Sequence, residues 1–162
     1  MVDPDSSIGF LVGDVARLLR RNFNQRAQAL GLSQAQWRAL AYLARQQGVS
    51  QASLADRLEI QPITLVRLLD RLQAAGLVTR RPDPHDRRAF RLYLTDRAQP
   101  LLARMWSIAA RTREQALAGM PIQRQRMLIK SLQHLRQNLL QAEDSATANG
   151  QKDKRIRNAA NA

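Results

Sequence analysis

Two short stretches of the sequence hold side chains of the types that recognise nucleic acids. The first is an amphipathic segment that begins at Pro62 and carries Arg67 on its polar side. A guanidinium donates two parallel hydrogen bonds to guanine, so Arg67 is the candidate for a base contact. The second is the loop Asp83–Arg88, in which Arg87 and Arg88 are placed to enter a narrow minor groove, where the negative potential is enhanced. Together the two stretches predict contacts with both grooves of a DNA duplex.

Helical periodicity divides the first stretch into two faces. Leucines recur at the spacing of a buried helix face, and Arg67 lies on the opposite side, whose N-terminal part reaches base edges in a recognition helix. Ile63 and Val66 are placed to meet thymine methyl groups, whereas the polar residues beside them would hold phosphates and set the register. The predicted DNA-contacting residues of this helix are Gln61, Ile63, Thr64, Val66, Arg67 and Arg71. A solvated Arg67, or one paired with Asp70, is the alternative.

The loop Asp83–Arg88 admits three interpretations. In the favoured one, Asp86 pairs with a nearby arginine and stiffens the loop, while Arg87 and Arg88 project towards the minor groove. An ordinary polar hairpin tip is the second. The third is a metal site formed by Asp83, His85 and Asp86. It is disfavoured because the flanking arginines repel a cation and the chain has only 2 histidines. We therefore predict no metal and no cofactor.

Helices must position both stretches. Apolar residues at helical spacing predict a first helix that begins at Ile8 and ends at Gly31. Ser33 with Gln36 forms a capping box that opens a second helix. Ser50 caps a third helix over Gln51–Leu58, and a fourth helix begins with Pro62 in its first turn and runs to about Ala75.

Beyond Gly76 the periodicity changes to that of strands. Leu77–Arg81 and Phe90–Leu94 are short and rich in β-forming residues, so the pair predicts a hairpin. The third and fourth helices, separated by the turn Glu59–Gln61 and followed by this hairpin, form the pattern of a winged helix-turn-helix. The predicted fold class is mainly α with a small β-hairpin wing, plus a helical dimerisation region.

The remaining chain supplies that helical region. Thr95 is predicted to cap a fifth helix running towards Ala118, and Pro121 to open a sixth that ends near Ala142. Four leucines of the sixth helix follow 4-3-4 spacing, which is typical of a helix–helix seam. The partner of this seam is a second copy of the chain or, alternatively, the fifth helix. Beyond it, the segment from Glu143 is poor in apolar residues and is expected to be disordered.

The first helix and the leucine seam carry more apolar surface than a small winged domain needs to bury, so we predict a homodimer. The predicted organisation is an N-terminal dimerisation helix (1–32), a winged DNA-binding domain (33–99), C-terminal dimerisation helices (100–142) and a disordered tail (143–162).

Composition and charge agree with this interpretation. The chain has 162 residues, a formal net charge of +13 and no cysteine, which excludes thiol catalysis and disulfide scaffolding. The excess charge lies on the helical body, with +4 over residues 61–99 and +6 over residues 100–142. This placement favours a shaped anion-binding face over a nonspecific basic arm.

Three other classes of protein fit less well. An enzyme is disfavoured because the sequence has neither a Gly-rich phosphate loop nor a nucleophile elbow. A single-strand or RNA binder would need more aromatic side chains for stacking than the 4% present. A basic interaction module for an acidic partner protein is the third. No signal peptide and no 18-residue apolar run is visible, so we expect a cytoplasmic protein without membrane contact.

The run from Ser50 to Thr95 resembles the MarR family of bacterial transcriptional regulators. The segments that carry the resemblance are Gln61–Leu72, Gly76–Val78, Asp83–Ala89 and Leu94–Thr95. Asp86–Ala89 is similar to the family's wing motif and, with Arg67 and Asp70, to its SlyA-like branch. The flanking helices match the family's order, so the resemblance covers roughly residues 8–142.

The resemblance implies a homodimer with intertwined first and last helices that binds pseudo-palindromic operators, commonly as a repressor. It also implies release of DNA when a small phenolic or other anionic effector enters the crevice between the dimerisation helices and the winged domain. At the matching positions, the resemblance implies that Arg67 is the base-contacting arginine of the recognition helix. It also implies that Asp86 and Arg88 form the functional pair of the wing, with Arg87 in an accessory role. Ile63 departs from the family pattern, because many members have a small polar residue there.

Overall fold

The computed structural model describes residues 6–84, 86 and 89–160, without the side chains of residues 144 and 146–160. The chain divides into two units, one ending at Ala116 and the other beginning at Leu117. The elements of the first unit are α1 (Ile8–Ala27), a short 3-10 helix (Gln28–Leu30), α2 (Gln34–Arg45), β1 (Val49–Ser50), α3 (Gln51–Leu58), α4 (Pro62–Ala74), β2 (Val78–Pro82), β3 (Phe90–Leu94) and α5 (Ala98–Ala116). The second unit holds α6 (Ile122–Ala160). The predicted class, mainly helical with a small sheet in a winged helix-turn-helix, is confirmed.

The predicted starts of α2 and α3 are set by side-chain caps. The Ser33 hydroxyl accepts a hydrogen bond from the Gln36 backbone N–H, and the Gln36 side chain accepts one from the Ser33 N–H. This reciprocal pair is the predicted capping box, and it satisfies two donors that a helix start otherwise leaves unpaired. The Ser50 hydroxyl likewise accepts from the Ser53 N–H at the start of α3.

The turn between α3 and α4 sets the direction in which α4 leaves. Glu59 lies in the left-handed region with φ 56° and is the one described non-glycine residue with positive φ. Its N–H reaches the Asp56 carbonyl, and the Ile60 N–H reaches the Ala55 carbonyl, which together close α3. Left-handed backbone costs a residue with a side chain about 1–2 kcal/mol, so packing around the turn must hold it. Pro62 then opens α4 without losing a helix hydrogen bond.

The apolar core of the first unit is built mainly from leucines. The largest fully buried side chains are Leu40, Leu43, Leu54, Leu58, Leu65, Leu69, Leu72, Val78, Leu92 and Met105. The leucines predicted to face inward from α4 are all buried. Because one face of α4 is held against this core, its other face is presented to solvent at a defined orientation.

The sheet has three antiparallel strands in the order β1-β3-β2. The predicted hairpin is present as β2 and β3, with Val78 opposite Leu94 and Pro82 opposite Phe90. Strand β1 was not predicted, because two residues are too few to show alternation. It pairs Val49 with Leu92 and so connects the start of α3 to the hairpin.

Helix α5 begins later than the sequence indicated. The Thr95 hydroxyl donates to the Gly76 carbonyl, and the helix starts at Ala98. The cap predicted at Thr95 was therefore wrong: its hydroxyl ties the end of β3 to the end of α4. Pro100 consequently falls in the first turn, where its missing N–H costs no helix hydrogen bond.

Helix α6 continues to Ala160, beyond the end predicted near Ala142 and through the segment expected to be disordered. The prediction was based on the lack of apolar residues that could bury surface. Helix hydrogen bonds are local, however, so a helix can continue along residues that bury no surface. The Ala, Gln, Lys and Arg residues of this segment favour helix, whereas Asn149 and Gly150 do not.

Each unit leaves apolar side chains exposed. On α1 these are Ile8, Phe10, Leu11, Val12, Val15, Leu18 and Leu19. On α6 they are Ile122, Met127, Leu128, Ile129, Leu132, Leu135, Leu139 and Leu140, which include the whole predicted leucine seam. Among the described residues, no helix has the length and apolar composition needed to cross a membrane.

Candidate nucleic-acid interface

The outward face of α4 presents the residues that the sequence predicted to contact DNA. Ile63 is 63% exposed and Val66 39% exposed. The other four members of the set, Gln61, Thr64, Arg67 and Arg71, are exposed as well. Since Leu65, Leu68, Leu69 and Leu72 anchor the opposite face, these side chains share one side of a rigid helix.

Arg67 has no ion-pair or side-chain hydrogen-bond partner among the described residues. The alternative in which it pairs with Asp70 is not realised. The Asp70 carboxylate instead accepts from Arg80 of β2, at 2.8 Å. All five donors of the Arg67 guanidinium therefore remain available to an incoming acceptor.

The hairpin loop is closed by backbone hydrogen bonds at its base. The Asp83 N–H donates to the Ala89 carbonyl at 2.9 Å, and the Ala89 N–H donates to the Asp86 carbonyl at 3.0 Å. Asp86 is exposed. Arg87 and Arg88, the two predicted minor-groove arginines, lie outside the described residues, as does His85.

An ion pair that the sequence analysis missed holds this base. The buried carboxylate of Asp83 accepts from Arg91 Nε, and Arg91 also donates to the Gly48 carbonyl at 3.1 Å. The sequence analysis predicted a pair between Asp86 and a nearby arginine, which stays a prediction, and it gave Asp83 no arginine partner. The strand register was the available signal, since Asp83 follows the end of β2 and Arg91 lies on β3 beside it.

The hairpin also separates two like charges. Arg81 and Arg91 lie directly opposite each other on β2 and β3, an arrangement that is unfavourable by itself. Arg91 turns to Asp83, and the Arg81 guanidinium lies over the Tyr93 ring, 4.5 Å from its centroid. Each arginine thus has its own partner, and the repulsion between them is offset.

The candidate metal triad includes His85, which lies outside the described residues, so the absence of a metal stays a prediction. Among the residues that are described, no three carboxylate or imidazole groups come together in a way that could hold an ion. The Asp83 carboxylate of the proposed triad is engaged by Arg91.

A separate cavity of about 350 Å³, wide open to solvent, lies between α1, α2 and α5. Its lining residues are Arg20, Trp37, Arg38, Ala41, Tyr42, Arg45 and Trp106. Trp37 is held in place because its ring packs on Phe23, 4.4 Å between centroids, and its indole N–H donates to Asn24. Aromatic walls with three guanidinium groups suit a flat, anionic small molecule. The sequence analysis placed no residue in such a site, because its members are scattered over three helices.

Comparisons with known proteins add to this geometry. A family model described as MarR family matches residues 30–89. The transcriptional regulator PA3341 is 36% identical, with a TM-score of 0.71, over 82% of this chain and 98% of its own. A MarR-family transcriptional regulator from Silicibacter pomeroyi is 29% identical, with a TM-score of 0.73, over 84% of this chain and 92% of its own. CouR from Rhodococcus jostii RHA1, solved bound to p-coumaroyl-CoA, shares the fold at 22% identity and a TM-score of 0.68, over 83% of this chain and 95% of its own.

Proposed function

The chain belongs to the MarR family of transcriptional regulators, and on this premise we propose that it binds pseudo-palindromic operators in double-stranded DNA as a homodimer. Members of the family are transcription regulators, not enzymes. The proposed place of action is the cytoplasm, where a bacterial operator lies.

The observation that carries the proposal is the outward face of α4. It offers Arg67 without a described partner, flanked by exposed Ile63 and Val66 and by the polar groups of Thr64 and Arg71. A guanidinium paired with guanine and methyl groups against thymine distinguish base pairs in the major groove. Thr64 and Arg71, with Gln61 at the helix start, are assigned to phosphates.

The hairpin supplies the second contact. Asp83, Arg91 and the backbone hydrogen bonds of Ala89 hold its base. We assign Arg88, with Arg87 as accessory, to the flanking minor groove, where a narrow A·T-rich stretch has enhanced negative potential. Asp86 is assigned to orient this pair.

A second copy is the proposed cover of the exposed apolar faces. Seven large apolar side chains on α1 and eight on α6 are solvent-exposed in the single chain. Apolar surface gains about 25 cal/mol for each Å² removed from water, so exposure on this scale favours association. Two-fold symmetry then places two α4 helices on half-sites roughly 34–36 Å apart.

Regulation is proposed to act through the cavity lined by Trp37, Tyr42 and Trp106. Its walls come from α1 and α5, assigned to dimerisation, and from α2, assigned to the winged domain. A ligand there would touch both parts and favour one dimer geometry over another, which is what release of DNA requires. CouR shows that a protein of this fold has been solved with p-coumaroyl-CoA. We propose a phenolic or other aromatic anion as effector and repression as the role.

Selection of bound sequences from a random duplex pool, followed by gel shifts over a salt series, tests the DNA-binding proposal. The expected result is a pseudo-palindromic consensus, with affinity for it far above that for scrambled duplex and falling steeply with salt. Equal affinity for scrambled duplex, or a preference for single strands or RNA, would contradict it. Salt-sensitive capture of an acidic protein without duplex preference would instead support the basic interaction module.

The effector proposal is tested on the operator complex. Salicylate is expected to release the DNA, and the neutral analogue salicylamide is the matched control. Arg38→Gln removes one guanidinium from the cavity and is expected to raise the salicylate concentration needed. Retention of DNA at saturating salicylate would remove this class of effector.

A further inference from the structure

Arg80 of β2 makes a contact that the interface described above does not use. Its side chain is 18% exposed and lies against α4. One guanidinium nitrogen donates to the Gln73 side chain at 3.0 Å, and the other contacts the Asp70 carboxylate at 2.8 Å and the Val66 carbonyl at 3.4 Å. Its Nε is buried without a hydrogen-bond partner.

The three acceptors of Arg80 lie along the helix. Val66, Asp70 and Gln73 follow i, i+4, i+7 spacing, so they form one row that spans about 10 Å at 1.5 Å per residue. The buried leucines already hold α4 against the core. The Arg80 guanidinium adds a polar link between this row and strand β2.

The same contact determines which charges of α4 are available. Asp70 lies three residues from Arg67, at a spacing that favours an ion pair on a helix. Because Arg80 takes the Asp70 carboxylate, Arg67 is left without a described partner. Arg80, which is only partly exposed, is itself poorly placed to meet DNA, because its end nitrogens are engaged and its Nε is covered.

We propose that Arg80 is a positioning residue for DNA recognition. Through Asp70 and Gln73 it fixes the angle between the recognition helix and the wing, and it keeps Asp70 from pairing with Arg67. This inference rests on the proposed function, since it concerns how the same surface meets a duplex. It assigns no DNA contact to Arg80 itself.

The sign of the effect at Asp70 separates this proposal from simple electrostatics. Asp70 is 57% exposed on the DNA-facing side. If Asp70 were only a negative charge near phosphates, its removal would tighten binding. If it holds Arg80, its removal weakens binding although the protein has become more positive.

The experiment compares the full chain with D70A, R80A, the double variant and D56A on the selected operator and on scrambled duplex. Asp56 is an exposed acid of α3 whose side chain has no partner among the described residues, so D56A is the matched control. We expect R80A to weaken operator binding by about tenfold, because α4 loses its link to β2 and Asp70 becomes available to Arg67. D70A is expected to weaken it severalfold, and the double variant no more than R80A, because both act through one contact.

A loss of the preference for operator over scrambled duplex distinguishes a positioning role from general destabilisation of the protein. Below the unfolding temperature, a variant that is only less stable keeps the ratio of operator to scrambled affinity. D70A and R80A are expected to lower that ratio, and D56A to leave it unchanged. Should R80A fail to fold, R80K, which keeps the charge but cannot reach all three acceptors, is expected to give an intermediate loss.

Failure of the proposed function and failure of the positioning role give different results in this experiment. If the unmodified chain shows no operator preference, the proposed function fails. If it shows that preference and D70A binds as tightly as D56A or more tightly, or if the losses of D70A and R80A add in the double variant, the positioning role alone is overturned.

Discussion

The outward face of α4 and the β2–β3 hairpin use arginine in opposite ways. On α4, Arg67 is exposed and has no described partner. On the hairpin strands, Arg80, Arg81 and Arg91 contact Asp70, the Tyr93 ring and Asp83, respectively. A guanidinium that is only hydrated exchanges water for a new acceptor at little cost, whereas an engaged one must first lose its contacts. The comparison indicates that arginine on α4 is available for recognition and arginine on the strands maintains the geometry.

The largest expected effect concerns the apolar support of the recognition face. Leu69 is fully buried on the inner face of α4, so L69A should lower the free energy of unfolding by about 2–5 kcal/mol. I63A, on the exposed face of the same helix, should change it by less than about 0.5 kcal/mol. Denaturant unfolding of both variants measures the difference. Similar losses for the two would show that the faces are not divided as described.

The second-largest expected effect concerns operator binding by Arg67, which has no described partner. R67A should weaken operator binding by about 1–3 kcal/mol and relax the preference at one base pair, without a change in unfolding. R71A, assigned to a phosphate, is the control and should weaken binding on all sequences while lowering the salt dependence by about one charge. Binding titrations on operator and point-substituted duplexes measure both. Equal loss of R67A on operator and scrambled DNA would refute the base contact.

The third effect concerns the contact between Arg91 and Asp83, which should contribute to the free energy of unfolding. D83N removes the charge that Arg91 contacts and leaves Arg91 opposite Arg81, so we expect about 1–2 kcal/mol less unfolding free energy. Arg91 is partly exposed, which keeps the effect in the lower part of the range for charged hydrogen bonds. The control is D96N, an exposed aspartate without an ion pair in the described residues. No difference between the two unfolding curves would mean that the Asp83 contact does not hold the wing.

The smallest effect concerns the cation over the tyrosine ring. R81A removes a contact at an exposed position, which is expected to contribute about 0.5–1 kcal/mol. R81K keeps the charge but stacks less well and should lie between R81A and the unchanged chain. Thermal unfolding resolves the order. If R81A were the more stable protein, repulsion between Arg81 and Arg91 would outweigh the ring contact.

The helical pattern and the capped starts of α2 and α3 could be predicted because they depend on local chemistry. The leucine spacing of α4 and the capping pair Ser33–Gln36 are properties of a few neighbouring residues, and the structure shows both as expected. Strand β1 could not be predicted, since two residues carry no periodic signal. The end of α6 was predicted too early because the argument considered only burial.

Part of the candidate site could likewise be predicted from the sequence, and part could not. Exposure of Arg67 follows from its position opposite the leucines, so periodicity was sufficient. The choice of Asp83 as the partner of Arg91, and of Asp70 as the partner of Arg80, depends on how β2 lies against β3 and α4. Neither the spacing of ten residues between Asp70 and Arg80 nor their types indicated that they meet.

By itself, the sequence determined the order of the helices, which face of α4 is apolar and where the hairpin lies, because backbone hydrogen bonds and side-chain periodicity act over a few residues. Only the tertiary structure decided which arginines have partners and which are free. Many acids and cations can reach one another in an unfolded chain, and a pair forms where packing of the apolar core brings two of them within about 3 Å. The leucine core therefore selects which charges remain available for DNA.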